Sequence, residues 1–132
     1  MTIRYAACSC EQLHLTVEGE PVRISICHCL ACQRRTGSAF AAQARFSAED
    51  VRLEGRYTEY VRISDEGEGR TFSFCPECGA TVFYKIPSAP EFIAVPVGAF
   101  ADPAFPAPRR SVWESRRHPW LELPEDVEHE TE

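Results

Sequence analysis

Seven cysteines fall into three blocks whose spacing suits metal chemistry: Cys8-x-Cys10, Cys27-x-Cys29-x2-Cys32 and Cys75-Pro-Glu-Cys78. A structural zinc site takes four soft ligands, whereas a reactive one takes three and keeps a position open. Seven divides as four plus three. The simplest expectation is one closed site and one open site, with two zinc ions per chain. Cys75-Pro-Glu-Cys78-Gly79 reads as a zinc knuckle, in which the glycine permits a left-handed turn and brings backbone N–H groups to the sulfurs. Cys8 and Cys10 can supply the other two ligands, because residues i and i+2 of an extended segment share a face. The alternative is that some of these four are ordinary buried thiols.

Cys27 and Cys29 also share a strand face, and Cys32 returns across the next turn, so the three make a half-cage. His28 lies between them and should point away. Three thiolates leave a divalent zinc with net negative charge. Such a centre suits a soft fourth ligand, a substrate thiol, which it would hold as the thiolate. Cys27, Cys29 and Cys32 are then the catalytic residues. Arg34 and Arg35 are candidates to bind a substrate carboxylate, and Thr36 and Ser38 to position an oxyanion. Surface exposure and turn chemistry account for these four equally well. The competing expectation is a second structural site whose fourth ligand is His118 or an Asp or Glu. The chain would then be a non-catalytic binding module with two structural zincs.

The elements that must position these residues are strands. Leu13, Leu15 and Val17 alternate with polar residues, and Val22, Ile24 and Ile26 do the same on the way into the cysteine triple. Residues 33–37 read as a helical turn closed by Gly37, residues 38–46 as a strand and 47–50 as a turn. Strands are expected at 57–63 and 70–74 around an acidic loop at 64–69, then at 81–86 and 92–97. Three prolines make 102–108 a connector. No long apolar stripe of helical period appears, so the expectation is a mainly β fold of packed antiparallel sheets with short helical turns. Residues 1–124 are expected to form one domain, and 125–132 an acidic, frayed tail.

The chain has 132 residues and a formal charge of −6, from 14 Lys+Arg against 20 Asp+Glu. That disfavours nucleic acid as a partner, which calls for a basic face. The apolar run from Phe92 to Ala101 contains Pro96 and Gly98 and is too short to span a bilayer, and the N-terminus has no apolar signal core. The expected location is the cytoplasm, where thiols stay reduced and spaced cysteines read as metal ligands or catalytic groups.

The cysteine blocks, the segment Cys27-His-Cys-Leu-Ala-Cys32-Gln-Arg-Arg-Thr-Gly-Ser-Ala-Phe40 and the segment Phe74-Cys-Pro-Glu-Cys-Gly79, in this order and spacing, resemble the glutathione-dependent formaldehyde-activating enzyme family, which includes the centromere protein V type proteins. The resemblance runs over roughly residues 3–121. It implies a β-tent zinc fold, with a structural zinc at Cys8, Cys10, Cys75 and Cys78 and a second zinc at Cys27, Cys29 and Cys32. It also implies a carbon–sulfur lyase whose partners are a small thiol, glutathione in the named activity, and an aldehyde. The product of that activity is S-hydroxymethylglutathione.

Overall fold

The structure is a computed structural model that describes residues 2–63 and 67–132. Part of the acidic loop expected at 64–69 therefore lies outside the described residues. The described residues form eleven strands in two sheets, one short helix and short 3-10 turns, which is the mainly β architecture the alternation predicts.

The smaller sheet has the order β1 (Ile3–Ala7), β2 (His14–Glu18), β5 (Val51–Glu54), and it is antiparallel throughout. The larger sheet begins at one edge with β11 (Glu128–His129), β10 (Arg110–Val112), β3 (Arg23–Cys27) and β4 (Ala41–Ser47). It continues through β9 (Phe92–Pro96), β8 (Thr81–Lys85) and β7 (Gly69–Phe74) to the other edge at β6 (Thr58–Ile63). Its pairs are antiparallel except at β10, which runs parallel to both β3 and β11.

Leu15 and Val17 of β2 meet Ile24 of β3, Ala44 and Phe46 of β4, Val82 and Phe83 of β8 and Val95 of β9 in one buried cluster. Because side chains alternate across a strand, burying Ile24 and Phe46 on that face sends Arg23, Ser25 and Cys27, and Gln43 and Arg45, to the opposite face. Phe72, Tyr84, Ile86 and Ala94 form a second apolar cluster, and they line one cavity with Arg23, Cys27 and Arg45. The larger sheet is thus covered on one face by the smaller sheet and hollow on the other.

The helix α1 spans Leu30–Thr36 and ends at Gly37, whose φ is 72°. It starts three residues earlier than the expected turn because Cys29 caps it: the Cys32 N–H donates to Cys29 Sγ at 3.3 Å. The strand expected from residue 38 begins only at Ala41. The C-terminal segment differs from the frayed tail expected at 125–132. Val127 is buried, β11 pairs with β10, and Arg110 is ion-paired with Glu130. One apolar side chain and one ion pair dock a segment whose composition is otherwise that of a solvated tail.

Candidate metal centre

The four-cysteine group forms where two tight turns meet. A bulge between Ser73 and Phe74 ends the β7–β8 ladder and leads into the turn from Cys75 to Cys78. There the Cys75 N–H donates to Ala80 O at 3.0 Å, and the Gly79 N–H donates to Cys75 O at 2.8 Å. The β1–β2 loop supplies the other half: the Cys8 N–H donates to Leu13 O at 2.9 Å and the Glu11 N–H to Cys8 O at 3.0 Å. The four sulfurs all lie within 4.8 Å of one another. Cys8 Sγ is 3.6 Å from Cys10 Sγ, and Cys10 Sγ is 3.7 Å from Cys75 Sγ. A tetrahedron with metal–sulfur bonds of about 2.3 Å has an edge of about 3.8 Å, so these spacings fit zinc. They are far longer than a disulfide bond of about 2.05 Å.

Donors converge on these sulfurs. The Leu13 N–H reaches Cys8 Sγ at 3.4 Å, the Glu77 N–H reaches Cys75 Sγ at 3.3 Å, and Gln12 Nε2 reaches Cys75 Sγ at 3.0 Å. Burial pushes the Cys75 thiol up, but Gln12 and the N–H groups of Cys78 and Glu77 outweigh it and bring Cys75 down to about 6. Cys10 goes the other way, to about 11. The backbone N–H of Gln12 favours its thiolate, but desolvation and the sulfurs of Cys8, Cys75 and Cys78 together oppose it. Negative charge accumulates within the group, and a bound cation is what allows all four to ionise together.

Gln12 is a part of this centre that the cysteine spacing does not reveal. Besides touching Cys75, its side chain donates to Arg56 O at 2.8 Å and accepts from the Arg56 N–H at 3.0 Å. Gly55 makes this possible. It has a φ of 106°, and a Cβ at that position would fall 2.2 Å from Gln12 O.

The three-cysteine group sits at the end of β3 and the start of α1. Cys27 closes the strand, Cys29 caps the helix, and Cys32 occupies its first turn. The three sulfurs lie within 4.8 Å of one another, and among the described residues no histidine, other cysteine or carboxylate joins them. Hydrogen bonds from the thiols of Cys27 and Cys32 drive the Cys29 thiol down, while contacts with Cys29 and Cys32, and then burial, drive Cys27 up. One thiolate forms readily, and the others need a cation. The donor set therefore suits a soft divalent metal.

His28 turns away from the sulfurs. It is buried, and its Nε2 lies 2.8 Å from Ser111 Oγ. His118 is engaged elsewhere, with Nε2 at 3.0 Å from Gln33 Oε1. Gln33 also donates to His28 O at 2.8 Å and to Arg116 O at 3.1 Å, bracing the helix against the segment after β10.

A cavity of about 140 Å³ opens onto Cys27, Cys29 and Cys32 and reaches Phe72 and Tyr84 on the hollow face of the sheet. That is many times the ~10–15 Å³ needed to admit one water, so it holds a small cluster of waters. Arg35 lines it, with its guanidinium 4.7 Å from the Phe72 ring centre and 5.8 Å from that of Tyr84. Burial pushes the Tyr84 phenol up to about 12, so it stays protonated at neutral pH.

Arg34 is exposed and lines, with Leu30 and Tyr60, an adjoining groove that shares Cys32, Arg35, Arg62 and Phe72 with the cavity. The Thr36 hydroxyl donates to Cys32 O at 2.8 Å and accepts from the Ser38 N–H at 3.1 Å; Ser38 itself is exposed. Of the four candidate substrate residues, Arg35 alone lines the cavity over the cysteines. Thr36 reaches an adjoining pocket that also touches Arg35 and Tyr84. Tyr84 and the arginines of β3, β4, β6 and β7 carry no local motif, and only strand register brings them here.

Among the described residues no helix is long and apolar enough to cross a membrane. The model of the glutathione-dependent formaldehyde-activating enzyme family matches residues 3–116. A crystal structure of a Rhodobacter sphaeroides protein is similar in fold, with a TM-score of 0.57 and 23% sequence identity, covering 77% of this chain and 90% of that one. No curated protein matches the chain significantly.

Proposed function

This chain belongs to the glutathione-dependent formaldehyde-activating enzyme family, and we propose that it is a carbon–sulfur lyase that joins a glutathione-like thiol to an aldehyde, or releases the aldehyde from the adduct. Cys8, Cys10, Cys75 and Cys78 would hold a structural zinc, and Cys27, Cys29 and Cys32 a second zinc. Bound to three thiolates, that second ion supplies a soft Lewis-acidic position that keeps a substrate sulfur ionised at neutral pH. The observation that carries the reading is the convergence of three sulfurs, without a fourth protein ligand among the described residues, on the floor of a cavity.

In the forward direction the thiol sulfur forms a bond to the carbonyl carbon. The carbonyl π pair moves to oxygen, and a proton equivalent to the one lost by the thiol ends on that oxygen. The reverse reaction breaks the carbon–sulfur bond and returns the proton to sulfur. Arg35, held over Phe72 and near Tyr84, is placed to hold a carboxylate of the thiol substrate. Tyr84 keeps its proton and lines the same cavity. It is the candidate donor to the oxygen on which negative charge develops.

Exchange NMR on formaldehyde and glutathione tests the proposal. Wild-type protein should speed interconversion of formaldehyde and S-hydroxymethylglutathione above the buffer rate, and Cys32→Ser should abolish the increase. No acceleration with glutathione or with any other common thiol would point instead to a binding module with two structural zincs.

A further inference from the structure

Five arginines line the cavity over the three cysteines, namely Arg23, Arg35, Arg45, Arg62 and Arg70, and among the described residues no carboxylate lines it. Four of them form two like-charged pairs across neighbouring strands. Arg23 of β3 stands opposite Arg45 of β4, and Arg62 of β6 stands opposite Arg70 of β7. Like charges directly opposite each other destabilise a sheet. The two pairs therefore call for something that offsets them.

The protein itself supplies little. Arg70 is paired with Glu68 at 3.2 Å, and Glu130 is taken up by Arg110. Among the described residues Arg23, Arg35, Arg45 and Arg62 have no carboxylate within ion-pair distance. Arg35 and Arg62 lie at the cysteine end, where they share a groove with Cys32, and Arg35 is the residue placed there to hold the first carboxylate. Arg23 and Arg45 remain: Arg45 lies over the Phe92 ring at 5.4 Å and Arg23 feels Glu130 beyond ion-pair distance, but neither has a carboxylate paired with it among the described residues. Arg23 is four residues from Cys27 along β3, a separation of about 13 Å at ~3.3 Å per residue. Burial, and then the charges of Arg45 and Arg110, disfavour its charged form, as expected of a cation waiting for an anion.

Resting on the thiol reading above, we infer that Arg23 and Arg45 form a second anion subsite, at the far end of the cavity, that selects thiols carrying a remote carboxylate in addition to the one held by Arg35. The substrate class is an extended thiol with two carboxylates separated along the sheet. Short or singly charged thiols fill only the end near the cysteines. Arg23 and Arg45 are specificity residues that do not touch the reacting atoms.

Calorimetry on the full zinc-loaded chain tests this with three probes. Glutathione carries both carboxylates, cysteinylglycine lacks the remote one, and γ-glutamyl-2-aminobutyryl-glycine keeps both carboxylates but has no sulfur. Wild type should bind glutathione at least about tenfold more tightly than cysteinylglycine, the worth of one charge-assisted contact. In Arg45→Gln, and separately in Arg23→Gln, that ratio should fall toward one while cysteinylglycine binding stays unchanged. A merely structural role would weaken both thiols together. Each variant relieves a like-charge pair, so each should fold, and either alone suffices. A ratio near one in wild type, or a ratio that survives both substitutions, overturns the inference. The thiol reading fails separately. If no thiol reaches the metal, but the sulfur-free analogue binds wild type and is lost from the variants, the subsite stands and thiol activation falls.

Discussion

Substituting Gly55 by alanine should loosen the four-cysteine centre from outside its own ligands. A Cβ at Gly55 would sit 2.2 Å from Gln12 O and 2.8 Å from Leu13 Cα, both backbone atoms that cannot rotate away. The φ of 106° adds strain of about 1–3 kcal/mol for a non-glycine residue. The displaced Gln12 would lose its paired contacts with Arg56 and its donation to Cys75 Sγ, at about 1 kcal/mol for each neutral bond and about 1.5–3 kcal/mol for the bond to a thiolate. The total is about 4.5–8 kcal/mol, a large share of the ~5–15 kcal/mol that holds a domain folded. Gly37→Ala is the control. It also has a positive φ, 72°, but nothing lies within 4 Å of its Cβ position, so it should cost only about 1–2 kcal/mol. Denaturant melts of zinc-loaded protein give both values, and chelator competition gives the rate of metal loss. A Gly55→Ala variant as stable as Gly37→Ala, releasing zinc no faster than wild type, would refute the close-packing argument.

Elemental analysis under reducing conditions should give two zinc ions per chain, and a value of one that persists after reconstitution would remove the three-cysteine centre from the account. Cys75→Ser should unfold much of the chain, because closed zinc sites contribute directly to folding, whereas Cys32→Ser should melt cooperatively with one zinc lost; equal damage in thermal melts would mean two structural sites. Tyr84→Phe should cut turnover about 10²-fold, the worth of one oxyanion donor, with glutathione affinity unchanged; equal turnover would take Tyr84 out of the mechanism. The Tyr84 phenol titrates near 12 in the fold and near 10 when unfolded, so the folded state binds its proton more tightly between those values. Wild type should therefore lose about 2–3 kcal/mol of stability as pH rises from about 10 to 12, and Tyr84→Phe should lose less when the two are titrated side by side.

The cysteine groups were legible because their chemistry is local. Cys27, Cys29 and Cys32 lie within one strand-to-helix junction, and Cys75 and Cys78 within one turn, so spacing alone brings their sulfurs together. The strands with clear alternation, β2 and β3, were legible for the same reason. β5 carries the same signal in Val51 and Leu53, but over four residues the alternation is too short to mark a strand. β10 and β11 are shorter still, and they exist because Arg110–Val112 can lie parallel to β3. That is a tertiary fact with no local period. The arginine pairs and Tyr84 depend on the registers of β3 with β4, β6 with β7 and β8 with β9. A register error of one residue would send each side chain to the opposite face, so local spacing points to Arg34, Arg35, Thr36 and Ser38 beside the cysteines and to nothing farther along the cavity.

The central claim is that the three-cysteine centre takes a thiol. Titrating glutathione into protein substituted with cobalt at both centres measures this directly, through the sulfur-to-metal charge-transfer band. The account predicts that the band intensifies to saturation in wild type, and that Cys32→Ser, which keeps the four-cysteine centre, shows no such change. A spectrum indifferent to glutathione, cysteine and other small thiols, in protein shown to hold both metals, would contradict it.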